Sequence, residues 1–301
     1  MQALVRFCRI ASMWELLIEY EAPLRFALFA CAFVALATWE SIAPRRTLST
    51  SKVTRWSANL GIFIMNTVMI RAVAPAAAVG IAVFAQERGI GLLHAVEWPQ
   101  LLEIMLALLA LDLAIYLQHV MFHAVPLLWR LHRVHHADLD FDVTTGTRFH
   151  PVEILLSLAI KAAAIFVIGA PVVAVLIFEI MLNLSSMFNH SNIHIPQAAD
   201  AVLRWFVITP DMHRVHHSIY RDETDRNFGF NLPWWDRIFG TYRSQPRGAH
   251  DKMPIGIPTF RDPRHCVTLT GILSLPFMSE RDQTPEGRSQ SSKPTGPEAF
   301  S

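Results

Sequence analysis

Long apolar runs constrain this chain more than any other feature. A helix needs about 20 mostly apolar residues to cross a bilayer, and residues 22–43, 58–85 and 99–122 each supply such a run. Residues 152–169 and 171–189 supply two further halves, parted by Gly169-Ala170-Pro171. Glycine and proline interrupt helices, so these halves read as a helical hairpin turning inside or across the membrane. Charged residues are 17% of the 301, against about 25% in soluble domains. The expected fold is all-α, an integral membrane helical bundle of about four transmembrane helices or hairpins. A formal charge of +1 gives no argument for nucleic acid as a partner. Cys8, Cys31 and Cys266 are isolated and form no CxxC, which argues against a thiolate zinc site or a disulfide framework.

Arg6 and Arg9 precede the first run, and Ala35-Leu36-Ala37 has the form of a small-x-small cleavage site. The long lead with Glu15, Glu19 and Glu21, and the spanning length of the run, favour a retained helix over a cleaved signal. Arg71 and Pro75 interrupt the second run. A charge at membrane depth is costly, so Arg71 is expected in the interior or a wet cavity; the alternatives are a snorkelling Arg71 or two shorter helices. The loop 44–57 holds Arg45, Arg46, Lys52 and Arg55, whereas 86–98 holds Arg88 beside Glu87 and Glu97. The positive-inside rule then places the first loop in the cytoplasm. Counting spans from there brings residues 119–150 and 190–260 to the same cytoplasmic face, where 190–260 read as a cytosolic cap. The chain divides into N-terminal transmembrane helices (1–98), a histidine-bearing domain (99–245) and a C-terminal extension (246–301). From about residue 279 that extension has the composition of a disordered tail.

Ten of the 14 histidines fall into four clusters. These are His119 and His123; His132, His135 and His136; His190 and His194; and His213, His216 and His217. Both triplets are written His-Arg-Val-His-His, and a pair-plus-triplet block occurs once on each side of the hairpin. Residues i, i+3 and i+4 share a face of a helix, so each cluster can present several imidazoles together. Imidazole suits iron, copper, zinc and nickel, and ten ligands are enough for two ions with room for a bridging oxygen. His94, His250 and His265 stand apart and carry no role, while His150, before Pro151, is a candidate auxiliary residue. Glu-x-x-His pairs of the soluble di-iron type are missing from the clusters, and so is HExxH. Asp112, two helical turns before His119, is an acid inside a span; it either serves the site or pairs with Arg71 or another helix.

Taken in order, these residues resemble the sterol desaturase and fatty acid hydroxylase superfamily of membrane di-iron, histidine-box enzymes. The resemblance covers residues 105–243. It rests on Asp112, the four histidine clusters, Leu128-Trp129, Arg148-x-His150-Pro151-x-Glu153, Asn227-Phe228-Gly229 and Trp235 through Thr241. It implies a transmembrane stem under a cytosolic, histidine-rich helical cap that holds two iron ions, with the ten clustered histidines as ligands. It further implies that O2 is the co-substrate and that a C–H bond of a membrane lipid (sterol, fatty acyl or related) is hydroxylated or desaturated. Asp112 and His150 are carried over as candidate catalytic residues. Electrons would come from a separate partner, ferredoxin-like or cytochrome b5-like with its reductase. The membrane would be the plasma or inner membrane in a bacterium and the endoplasmic reticulum in a eukaryote. Aromatic residues such as Phe122, Phe141, Phe188, Trp234 and Trp235 are placed to wall a lipid path or to anchor at the interface. Two other readings are a non-catalytic metal-binding membrane protein and a zinc hydrolase using Glu153, Asp138 or Asp211 as base.

Overall fold

The structure is a computed structural model that describes residues 20–74 and 77–280. The N-terminal lead, Pro75 and the tail beyond Glu280 lie outside the described residues. The helices are α1 (Glu21–Ile42), α2 (Lys52–Val73), α3 (Ala77–Arg88), α4 (Gln100–Ala124), α5 (Pro126–His136), α6 (Pro151–Ile168) and α7 (Val172–His190). Shorter ones follow: α8 (Gln197–Leu203), α9 (Pro210–His216), α10 (Arg221–Thr224), α11 (Trp234–Ile238), α12 (Pro263–Cys266) and α13 (Leu269–Ser274). No strand occurs among the described residues, only two isolated bridges.

Five stretches are long and apolar enough to cross a membrane: α1, the 44-residue stretch Lys52–Ala95 that contains α2 and α3, α4, α6 and α7. The expected hairpin is present as α6 and α7. Gly169 ends α6 in the left-handed region at φ 70°, where a glycine carries no side-chain penalty. Helices α3, α4, α6 and α7 pack around Ala82, Ala107, Leu111, Ile165, Ala174 and Phe178. Alanine at these contacts lets the backbones approach closely, as membrane helices require. Arg71 lies in the last turn of α2 and is exposed, which fits the two-helix alternative for the second run. Membrane charges the sequence reading passed over also pair up: Glu179 of α7 takes Arg25 of α1 at 2.9 Å and also Lys161 of α6.

The loop 43–51, residues 137–150 and residues 190–260 meet at one end of the bundle. Pro44 bridges Ile193, and Arg45 donates its amide to Asn192. Arg55 of α2 is fully buried against Asp138 (2.7 Å) and Asp142 (2.6 Å). The amides of Ser49 and Thr50 donate to Asp140 at 2.8–3.0 Å. A second core forms here from Ala58, Ile62, Val134, Phe260, Cys266, Ile272 and Leu275. Residues 257–275, expected as part of an extension, are thus packed against α2 and α5. Arg133 completes the attachment by donating to the carbonyls of Leu275 and Met278, both at 2.6 Å.

Candidate metal centre

Nine buried histidines converge where the spans end. One group is His119, His123, His132, His136 and His216; the other is His135, His190, His213 and His217. Within each group one ring nitrogen per residue lies within 4.8 Å of the others. His135 and His136 are neighbours in sequence yet serve different groups, and the ring of His136 stacks on that of His217 at 4.5 Å. The two halves of the sequence contribute to both groups. The fold therefore interleaves the pair-plus-triplet blocks rather than giving each its own metal.

Four of the five rings of the first group are aimed by hydrogen bonds on their Nδ1 side. His119 donates to the carbonyl of Phe228 (2.8 Å) and His216 to that of Arg226 (2.7 Å). His132 is held by Glu153 at 2.6 Å and His123 by Asp225 at 3.3 Å. A ring that donates from Nδ1 keeps a bare lone pair on Nε2, and those Nε2 atoms point into the group. The Nε2 atoms of His119, His132 and His216 are buried with no protein partner. In the second group His190 donates to the carbonyl of Ser186 at 2.7 Å. Its Nε2 then meets the Nε2 atoms of His135 and His213 at 3.0 Å each. Gly146 makes this possible, because any Cβ there would collide with the Ser186 carbonyl.

Burial, reinforced by the neighbouring rings, holds His135, His136, His213 and His217 well below the usual imidazole range. His216 is lowered to about 3, mainly by burial. Neutral imidazoles with opposed lone pairs in a dry pocket are the state that a transition metal needs. The residues present therefore fit two metal ions, one in each group, and an all-nitrogen donor set suits iron, copper, zinc or nickel.

His194 does not join the centre. Helix α7 ends at His190 and Ser191 turns to an extended conformation (φ −67°, ψ 146°), so the i+4 spacing no longer describes one face. His194 is exposed, and its amide donates to Ala43 beside the Pro44–Ile193 bridge. Asp112 also lies outside both groups. Its carboxylate accepts from Asn231 (2.7 Å), from the Trp235 indole (2.9 Å) and from the Leu232 amide (3.3 Å). His150 is the N-cap of α6, its Nδ1 accepting from the Val152 amide at 3.2 Å. The sequence offers Glu153 as part of the Arg148-x-His150-Pro151-x-Glu153 motif and as a hydrolytic base, whereas in the structure it is the carboxylate that orients His132. Its signal was an acid in the first turn of a membrane helix, a costly placement unless used. The carbonyls of Ser186, Arg226 and Phe228 leave no side-chain signal at all.

A family model described as "Fatty acid hydroxylase" matches residues 104–241. Ornithine lipid hydroxylase OlsE of Rhizobium tropici is 29% identical over 151 residues, 50% of this chain and 45% of that protein. Alkylglycerol monooxygenase of Xenopus tropicalis is 31% identical over 169 residues, covering 54% and 36%. Cholesterol 25-hydroxylase of Rattus norvegicus is 27% identical over 158 residues, 51% of each. The match thus spans about half or less of the length of these relatives, and no solved structure matches this chain. The matched segment carries every histidine of both groups, so the part of this chain that is similar to the fatty acid hydroxylase family is the part that builds the centre.

Proposed function

We propose that this chain is a membrane-bound, O2-dependent di-iron oxidoreductase that hydroxylates or desaturates a C–H bond of a membrane lipid. Its electrons come from a separate ferredoxin-like or cytochrome b5-like partner, and its active site faces the cytoplasm. One observation carries this reading: two adjacent groups of buried imidazoles, five and four, whose ligand atoms converge within each group. The names of the relatives support a lipid as substrate and hydroxylation as chemistry.

Two irons held by these groups would activate O2 and supply the oxidant for an unactivated C–H bond. The chain's own part is to hold and to exclude. Glu153, Asp225 and the carbonyls of Ser186, Arg226 and Phe228 fix ring orientation and tautomer. Phe141 and Phe149 wall the rings from water, Phe149 stacking on His135 at 4.5 Å. Asp112 and His150 act as positioning residues, Asp112 by pinning the 231–235 segment and His150 by starting the helix that carries Glu153.

Anaerobic purification in detergent should yield about two irons per chain, with loss on His135→Ala or His216→Ala. A single zinc whose content is unaltered in both variants would defeat the di-iron reading. Lipid extracts of the host with and without the gene should then differ. A product heavier by one oxygen indicates hydroxylation, and one lighter by two hydrogens indicates desaturation; metal without any lipid change would leave a non-catalytic metal protein.

A further inference from the structure

The cap has one surface built inside out. Around helix α8 the polar residues point inward: Asp200 and Arg204 are 5% and 7% exposed and pair with each other. The apolar residues point outward, with Val202, Trp205 and Phe206 exposed by 60%, 55% and 62%. A helix on a water-facing surface shows the reverse arrangement. Helix α11 continues this face through Trp234, Ile238 and Phe239. The two segments are tied together, since the Trp234 indole donates to the Trp205 carbonyl at 2.8 Å and the Arg237 guanidinium lies 3.9 Å over the Trp205 ring.

The depth of this face follows from α4. Trp235 and Asn231 bond Asp112, and Phe239 stacks on Tyr116 at 5.4 Å. From Gln100, the outer end of α4, to Asp112 is a rise of about 18 Å at 1.5 Å per residue. The hydrocarbon layer is about 30 Å thick, so counted from that end it reaches past both Asp112 and Tyr116. The irregular segment 228–239 is therefore level with hydrocarbon. Backbone at that depth must find its partners within the protein, and here it does. Asp112 accepts the Leu232 amide, and Asp236 accepts the amides of Phe228 and Gly229, both at 2.8 Å. The outward side chains of α4 beyond this level, Leu117 and Met121, are apolar and exposed as well.

We propose that the cap segments 202–207 and 228–239 are sunk into the bilayer, with their aromatic face against lipid acyl chains. The histidine groups then sit at the level of the leaflet instead of standing above it in water. The occupant of this face is the lipid of the same membrane, because the face runs without a break into the outward surface of a spanning helix. The inference rests on the membrane-spanning reading of α1 to α4, α6 and α7 and is independent of the identity of the metal.

The test is spin-label accessibility in the full chain in lipid vesicles, with Cys8 and Cys31 replaced by serine and the buried Cys266 retained. Nitroxides are placed at Phe206→Cys and Phe239→Cys, with Phe26→Cys on the exposed side of α1 and Lys252→Cys in a charged loop as references. The ratio of O2 to nickel-chelate accessibility at 206 and 239 should match that at 26 and exceed that at 252 several-fold. A ratio matching 252 overturns the proposal. So does exclusion of both reagents with an immobilised label, which would mean that a second copy or another protein covers the face. If position 26 itself behaves like 252, the membrane-spanning reading has failed along with the proposal. The two reporters lie on separate segments, so a folding defect in one variant leaves the other decisive.

Discussion

The two histidine groups sit side by side and are held by different forces. In the first, four of five rings have a hydrogen-bond partner on Nδ1, and two of those partners are the carboxylates of Glu153 and Asp225. In the second, the one such partner is the Ser186 carbonyl, on His190. The second group is held instead by packing: the Phe141 ring lies 5.1 Å from His217 and 5.6 Å from His190, and Phe149 stacks on His135. A carboxylate partner raises the basicity of its imidazole, while a ring neighbour only fixes its place. On the proposed two-metal reading, the contrast predicts that the first group binds its ion more tightly than the second, and that each group has its own point of failure.

The largest expected effect erases the contrast. His135 and His136 belong to different groups but share the chain that runs directly into Asp138, and Asp138 and Asp142 are held by the fully buried Arg55. Removing one partner of a buried ion pair costs about 3–5 kcal/mol, because the other charge is left uncompensated. Arg55→Met should therefore lower stability by roughly that amount, and purified protein should lose metal from both groups together. Unfolding in detergent and iron content check this. Loss of half the iron with unchanged stability would show that the 137–147 segment supports the groups separately.

Glu153→Ala sharpens the contrast. Removing a carboxylate partner of a ligand histidine typically weakens metal binding about 10–100-fold. The effect belongs to the first group, because Glu153 touches His132. Titration with a ferrous chelator should release half the iron at much lower chelator concentration than in the parent, while the other half is released as before. A single unshifted release curve would remove Glu153 from the account of the site.

Much of this arrangement was legible in the sequence, for physical reasons that also mark where legibility stops. The spans show because a membrane demands unbroken apolar length, and the hairpin shows because Gly169 and Pro171 cannot sit inside a helix. The histidine text predicted convergence, and nine of the ten rings do converge. His194 misled because spacing carries meaning only while a helix lasts, and α7 stops at His190, ahead of Ser191-Asn192 and well before Pro196. Asp112 was recognised as costly at its depth, but its partners, the Leu232 amide and the Trp235 indole, lie some 120 residues away in sequence. The packing of residues 257–275 against α2 and α5 was hidden for the same reason. The apolar face of α8 and α11 was visible as composition, whereas its direction depended on knowing that Asp200 and Arg204 turn inward.

The smallest effect is the mirror of the Glu153 experiment. Phe141 is fully buried, and its ring meets three of the four histidines of the second group, the third being His213 at 6.5 Å. Leucine keeps the site apolar but removes the ring contacts, each pair of which is worth about 0.5–1.5 kcal/mol. Phe141→Leu should make the second half of the iron leave a few-fold more readily and leave the first half alone. If neither half moves, ring packing is not what places the second group. If both move, the stack of His136 on His217 at 4.5 Å transmits the disturbance. The two groups would then be one coupled unit, joined by that stack and by the stack of His213 on His216 at 5.0 Å.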